Sequence, residues 1–120
     1  MSIRVQDLYK SKLRVFGMGA SSTVFEEQFI DSMNKVLSDL EVYALTGEIT
    51  VAGTGDDISL DAKFYTAISD GLDLYIQDAN NFAIKDRRDV ERRYFDKLKT
   101  LQVDFFEDSS NEVYAKLGDL

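Results

Sequence analysis

The chain has 120 residues, 44% of them hydrophobic, and its net charge is −8 because 22 acidic residues outnumber 14 basic ones. This length predicts one domain with a modest core, and the apolar content is too high for a disordered chain. Cysteine and histidine are absent, which excludes disulfides, thiolate metal sites and imidazole catalysis.

The first predicted element is a helix over residues 5–16. Its apolar residues recur at the three- and four-residue spacing of one helical face, and they are Val5, Leu8, Tyr9, Leu13 and Phe16. Gly17 and Gly19 follow, where glycines commonly end a helix. The N-terminus is polar and predicts no signal peptide, and no apolar run reaches the ~20 residues that span a bilayer. We therefore expect an intracellular protein with no membrane partner.

The second predicted helix covers residues 24–41. Thr23 and Glu26 have the spacing of a capping box, and Glu26 and Glu27 suit the positive end of a helix. The apolar face that follows consists of Phe29, Ile30, Met33, Val36, Leu37 and Leu40. This regular spacing makes the element the clearest in the chain.

Residues 42–58 predict a long excursion with β-like arms. Apolar residues alternate there with small or polar ones, and residues 46–48 suit a hairpin turn. Gly53 and Gly55 interrupt the segment. Long loops in small domains commonly have a function.

The third predicted helix is capped by Ser59 or Asp61. Its apolar face consists of Phe64, Ile68, Leu72, Tyr75, Ile76 and Ala79. Tyr65 and Leu74 lie off this face, which predicts a second apolar surface. Gly71 is in mid-helix, where it costs ~1 kcal/mol relative to alanine, and close approach of another backbone is one reason to retain it.

The fourth predicted helix folds back after an apolar connector, residues 82–84, and begins at Asp86 or Asp89. Its apolar face consists of Val90, Tyr94, Leu98, Leu101 and Phe105. Its opposite face is basic, with Arg88, Arg92, Arg93, Lys97 and Lys99. A polar break is expected at residues 107–111, before a short apolar tail. The prediction is an all-α, four-helix domain at 1–106 with a loop excursion at 42–58, and a docking tail at 107–120.

Three sequence features suggest chemistry only weakly. The glycine-containing segment 17–22 lacks the lysine and the preceding strand of a phosphate loop. Asp56, Asp57 and Asp61 could bind a hard cation, although capping and a solvated loop are simpler uses. The aspartates of the third helix, Asp70, Asp73 and Asp78, could act as paired carboxylates, and a solvated face is the simpler interpretation. We predict no cofactor, no metal and no enzymatic activity.

The arginine cluster has three interpretations. Arg87, Arg88, Arg92 and Arg93 could form a solvated face with intrahelical pairs to Asp89, Glu91 and Asp96. They could instead bind the acidic region of a neighbouring copy, residues 17–84, or contact DNA.

The order of these elements resembles that of a known family. Val5–Leu8 leading to Leu13–Gly17, and then Phe29–Glu41, resemble the opening of tailed-bacteriophage head-to-tail adaptor (connector) proteins. A loop, a helix like Phe64–Ala79 and a basic helix like Val90–Leu101 continue the likeness over nearly the whole chain.

This resemblance implies a structural virion protein at the head–tail junction, made in the host cytoplasm. Such adaptors form a ring, typically of twelve copies, beneath the portal protein, extend the DNA channel and receive a downstream tail or stopper protein. DNA would pass through without specific binding. The family's C-terminal segment commonly contacts the portal, which would place there Phe105, Phe106, Val113, Tyr114 and Leu117. We expect Arg88, Arg92 and Arg93 to bind a neighbouring subunit or the portal.

An alternative function follows from the acidic charge alone. An acidic helical protein could act as a DNA mimic or as an inhibitor of a host DNA-binding protein, in a monomeric or dimeric form. A small enzyme is a third class, for which the sequence offers no recognisable site.

Overall fold

The structure, a computed structural model, describes residues 3–16, 23–44, 47–80 and 86–118, with side chains for 3–16, 23–43, 47–79 and 86–103. Its elements in chain order are β1 (Ile3–Arg4), α1 (Val5–Val15), α2 (Thr23–Ala44), β2 (Asp57–Ile58), a 3-10 turn (Ala62–Phe64), α3 (Tyr65–Asn80) and α4 (Arg87–Gly118). The predicted mainly helical fold class is therefore confirmed. The glycine stop after the first helix and the connector at 82–84 lie outside the described residues.

Helices α3 and α4 form an antiparallel pair. Asp70 of α3 pairs with Lys97 of α4, whereas Asp78, about two turns further along α3, pairs with Arg87 at the start of α4. Residue numbers therefore increase along α3 in the direction in which they decrease along α4. This confirms the predicted fold-back of the two amphipathic helices.

Helices α2 and α3 instead run parallel. A side chain at Gly71 would meet Val36, and the Tyr75 hydroxyl donates to Asp39, so positions rise together along both helices. Because α3 runs parallel to α2, it begins near the level at which α2 begins. The connection from the end of α2 must therefore return along that helix, which is about 33 Å long. The excursion between these helices is therefore a crossover, which explains its length.

The crossover is held to α2 by one amide side chain. Asn34 donates from Nδ2 to the Val51 carbonyl at 3.0 Å and accepts from the Val51 N–H at 2.7 Å. These are the two bonds that a strand partner would supply, and Val51 is buried. Residues 47–56 contain no strand, so the predicted β-like arms are absent from this stretch, and part of the hairpin turn suggested at 46–48 lies outside the described residues.

The only strand in the described part of the crossover pairs with the N-terminus. Ile58 lies opposite Ile3 and Asp57 opposite Arg4 in an antiparallel register. The Val5 N–H also donates to the Asp56 carbonyl at 3.2 Å. The end of the crossover is thereby fixed against the start of α1.

The core follows the apolar faces that the spacing predicts. Its largest fully buried side chains are Leu8, Phe25, Phe29, Met33, Leu37, Leu40, Ile58, Ile68, Leu72, Ile76, Tyr94 and Leu98. Leu74 is 2% exposed, so this part of the predicted second apolar surface of α3 is covered by the chain itself, while Tyr65 stays 40% exposed.

Aspartates begin the last two helical segments, as predicted. Asp61 accepts from the Lys63 N–H at 3.1 Å at the turn before α3. Asp86 accepts from the Arg88 N–H at 2.9 Å at the start of α4. Each carboxylate satisfies a helix-end N–H that has no backbone partner within the helix. Asp61 and Asp86 are therefore the caps, rather than Ser59 and Asp89.

Helix α4 does not end at the predicted polar break. It runs without interruption from Arg87 to Gly118. The segment 107–111 is polar, but it contains neither glycine nor proline, and polar residues alone do not end a helix. The division of the chain at residue 106 stays a prediction.

Gly71 is the point of closest contact between α3 and its neighbours. A Cβ atom there would lie 2.6 Å from Val36 Cγ2 and 2.7 Å from Tyr94 Cε1. The neighbours that need this space are side chains of α2 and α4, and not a backbone as the sequence suggested. The absence of a side chain lets three helices pack closely.

We expect Gly71→Ala to destabilise the fold. The added methyl group overpacks a filled contact at a cost of typically 1–3 kcal/mol, which exceeds the gain of about 1 kcal/mol in helix propensity. Urea denaturation followed by circular dichroism measures the difference. Gly53→Ala is the matched control, because its Cβ meets nothing within 4 Å. An unchanged or raised midpoint for Gly71→Ala would contradict the packing argument.

Candidate functional site

A buried ion pair joins α1 to α3. Lys12 donates from Nζ to Asp73 Oδ1 at 2.8 Å and to Ser69 Oγ at 2.9 Å, and the lysine side chain is 4% exposed. Gln77 donates to the Asp73 carbonyl at 2.9 Å. Buried charges are tolerated when they are paired in this way, and removing one partner costs about 3–5 kcal/mol. The pair is structural, and Asp73 does not belong to a solvated face.

The other two candidate carboxylates of α3 also contact cations. Asp70 accepts from Lys97, and Asp78 accepts from Arg87 Nε at 2.8 Å. Arg87 also donates to Glu91 at 2.5 Å. The hydrogen bonds to Asp78 raise the pKa of Arg87. All three aspartates thus connect α3 to another helix, so the structure gives no support to a paired catalytic site.

Asp39 connects the three long helices. Its Oδ2 atom accepts from the Tyr94 hydroxyl at 2.7 Å and from the Tyr75 hydroxyl. Burial, with the hydrogen bond to Asp39, raises the pKa of both tyrosines well above the ordinary value. Both hydroxyls are therefore held as neutral donors to Asp39.

In the candidate cation loop, Asp56 and Asp61 accept hydrogen bonds from backbone N–H groups. Asp56 Oδ2 accepts from the N–H groups of Ala52 at 2.9 Å and Gly53 at 3.3 Å. Asp61 caps the turn before α3. Within the part of the chain that the structure describes, no group of three or more potential ligands is placed to hold a metal ion.

The predicted arginines lie on an open groove of α4, which we call the basic groove. It has a volume of about 370 Å³ and is lined by Arg88, Glu91, Arg92, Phe95, Asp96 and Lys99. Arg93 is exposed on the same helix but does not line it. The structure therefore brings two of the three predicted interface arginines together.

Intrahelical and interhelical pairs occupy only part of the basic cluster. Arg92 pairs with Asp89 at 3.1 Å. Lys97 is half-buried on Asp70, so its predicted place on the free basic face is wrong. Arg88 and Arg93 are exposed and have no ion-pair partner among the described residues. Local ion pairs thus leave these two arginines exposed to solvent in the described part of the chain.

A second open groove, on α2, is acidic, and we call it the acidic groove. It has a volume of about 510 Å³ and is lined by Thr23, Glu26, Glu27, Ile30, Asp31 and Ala52. No described cation pairs with its three carboxylates. Sequence reasoning assigned two of them to the helix dipole and missed the groove, because its wall includes Ala52 of the crossover.

The side chains predicted to contact a portal cannot be assigned to either groove. The backbone of α4 includes these five residues, but their side chains lie outside the described residues: Phe105, Phe106, Val113, Tyr114 and Leu117.

None of the described helices has the length and apolar content that a membrane span requires. Comparisons with protein-family models, curated proteins and solved structures find no match to the chain.

We expect the contribution of Tyr94 to stability to decrease at alkaline pH. Tyr94 is fully buried and its folded pKa is raised, so the unfolded chain loses its tyrosine proton first as the pH rises through about 10. The stability advantage of the natural protein over Tyr94→Phe should therefore be full at lower pH and narrow by about 1.4 kcal/mol between pH 9 and pH 11.

Urea denaturation of both proteins at several pH values measures this gap. The two proteins share every other side chain, so the comparison isolates the Tyr94 hydroxyl. A gap that stays constant to pH 11 would show that the Tyr94 hydroxyl ionises as readily in the folded protein as in the unfolded one.

Proposed function

We propose that this protein is a structural head-to-tail adaptor of a tailed bacteriophage. Copies of the chain form a ring beneath the portal protein, extend the DNA channel and receive the next tail component. The proposal rests on the resemblance of helix order and on one structural observation. That observation is the presence of two exposed arginines, Arg88 and Arg93, that have no ion-pair partner among the described residues, on a chain with a net charge of −8.

The exposed arginines have guanidinium donors that are available to a protein partner. Most cations at the junction of α3 and α4 are already paired within the chain, as Arg87 and Lys97 illustrate. Arginine presents planar donors that suit a carboxylate-bearing surface. An acidic protein repels nucleic acid in general, which suits a wall past which DNA moves without being held.

The first test is assembly with the portal protein encoded by the same genome. We expect the two proteins to copurify and electron micrographs to show a ring, of twelve copies if the resemblance extends to copy number. The triple charge reversal R88E/R92E/R93E should abolish this ring, because like charges would face the acidic partner surface.

The matched control for this reversal is R4E/K10E/R14E. It makes the same change in net charge at three exposed residues of β1 and α1, and it should leave assembly intact. Normal assembly of the triple arginine variant would refute the role of these residues. A separate adaptor and portal at every ratio, or a tight one-to-one complex with a DNA-binding protein, would favour the acidic-mimic alternative.

The second test removes residues 107–120. Buried side chains in the described part of α4 end at Leu101, so we expect the shortened chain to keep its helical circular dichroism and a nearly unchanged urea midpoint. Because Val113, Tyr114 and Leu117 are lost, it should no longer copurify with the portal.

A full-length variant separates lost contacts from lost length. V113S/Y114S/L117S keeps the chain length and removes apolar surface, and it should also fail to bind the portal. If the shortened chain unfolds instead, the C-terminal residues belong to the core and the proposed docking tail is wrong.

A further inference from the structure

The basic and acidic grooves have complementary chemistry. The acidic groove presents Glu26, Glu27 and Asp31 without a described cation, while Arg88 projects from the basic groove without a described anion. Each groove also contains one half-buried apolar side chain, Ile30 in the first and Phe95 in the second. An apolar centre with charged groups around it is the usual anatomy of a protein interface.

The two grooves lie at different levels of the bundle. The contact between Tyr94 and Asp39 places the middle of the basic groove level with the C-terminal part of α2. The acidic groove is centred about ten residues earlier in α2, about 15 Å along the helix. The side chains of Arg88 and Arg92 are too short to cross that distance, so these arginines cannot reach the acidic groove of their own copy.

We infer that the acidic groove of one copy receives the basic groove of a second copy of this chain. This inference rests on the proposed ring and specifies its subunit contact. The two surfaces differ, so the contact is heterologous, and a pair of copies keeps one free groove of each kind for the next copies. Such a contact closes into a ring when the rotation per copy divides a full circle.

The test uses two variants that each lose one groove. R88E/R92E reverses the basic groove and keeps the acidic one, while E27K/D31K does the opposite. Each pair is exposed and spaced by four residues on its helix. K10E/R14E, an exposed pair with the same spacing on α1, is the matched control for the first variant. Circular dichroism and urea midpoints verify that all of them fold.

Sedimentation velocity without any portal measures self-association up to about 1 mM protein, the scale of weak contacts. We expect the natural protein and K10E/R14E to associate in about 0.05 M NaCl and to dissociate towards monomers in about 0.5 M NaCl, because salt screens the contact. R88E/R92E and E27K/D31K should each associate roughly 100-fold more weakly.

Mixing gives the sharper result. The first variant presents two acidic surfaces and the second presents two basic ones, so neither should associate alone, and their equimolar mixture should form assemblies in which the two variants alternate. The combined variant R88E/R92E/E27K/D31K exchanges the signs of both grooves and should recover self-association. If R88E/R92E loses helicity, R88Q/R92Q replaces it, and its self-association should be roughly 10-fold weaker than that of the natural protein.

Three results would overturn the inference. They are a natural protein that stays monomeric throughout the concentration range, reversed variants that associate as well as the natural protein, and a mixture that contains monomers alone. The proposed function is judged separately by portal binding. Mixed assemblies of the two variants without portal binding by the natural protein would leave the interface standing and the adaptor function refuted, whereas a portal-bound ring of R88E/R92E would do the reverse.

Discussion

The packing of the long helices depends on Tyr94. Its ring occupies the space that Gly71 leaves open on α3, and its hydroxyl donates to Asp39 of α2. Tyr94 thereby fixes the spacing of α4 from α3 and the level of α4 along α2. Burying a tyrosine is favourable only when the hydroxyl finds a partner, and the same carboxylate also accepts from Tyr75. The groove positions depend on this arrangement, because Arg88, Arg92 and Phe95 precede and follow Tyr94 on the same helix.

The parallel course of α2 and α3 determines the rest of the topology. It requires a crossover that returns the length of α2, and this crossover supplies both a strand and a groove wall. Ala52 borders the acidic groove, while Ile58 pairs opposite Ile3 in the short ladder beside α1. A four-helix domain with antiparallel neighbours throughout would need only short loops. The excursion therefore creates surface that such a bundle lacks, and one of the two candidate interaction surfaces is built partly from it.

Helical spacing was sufficient to predict the four helices and most of their buried faces, because apolar periodicity depends on neighbours a few residues apart. It failed where the partner is distant in sequence. Lys12 falls on the apolar face of α1, between Leu8 and Phe16, and this position is a signal of a buried charge, but its partner Asp73 could not be identified without the packing of α1 on α3. The acidic groove was missed for the same reason. The break predicted at 107–111 was wrong because polarity was taken as a helix end without a glycine or proline to cause one.

The Asn34 amide has a consequence for solubility. It supplies a donor and an acceptor to Val51, as a neighbouring strand would, yet it ends after a single residue. The backbone N–H and carbonyl of Val51 thus both have hydrogen-bond partners without a β-sheet, whose outer edge would itself need a partner. The ladder of Ile3–Arg4 and Asp57–Ile58 is equally short. Short strands offer little unpaired edge to another chain, and edge-to-edge β-pairing is a common route to aggregation.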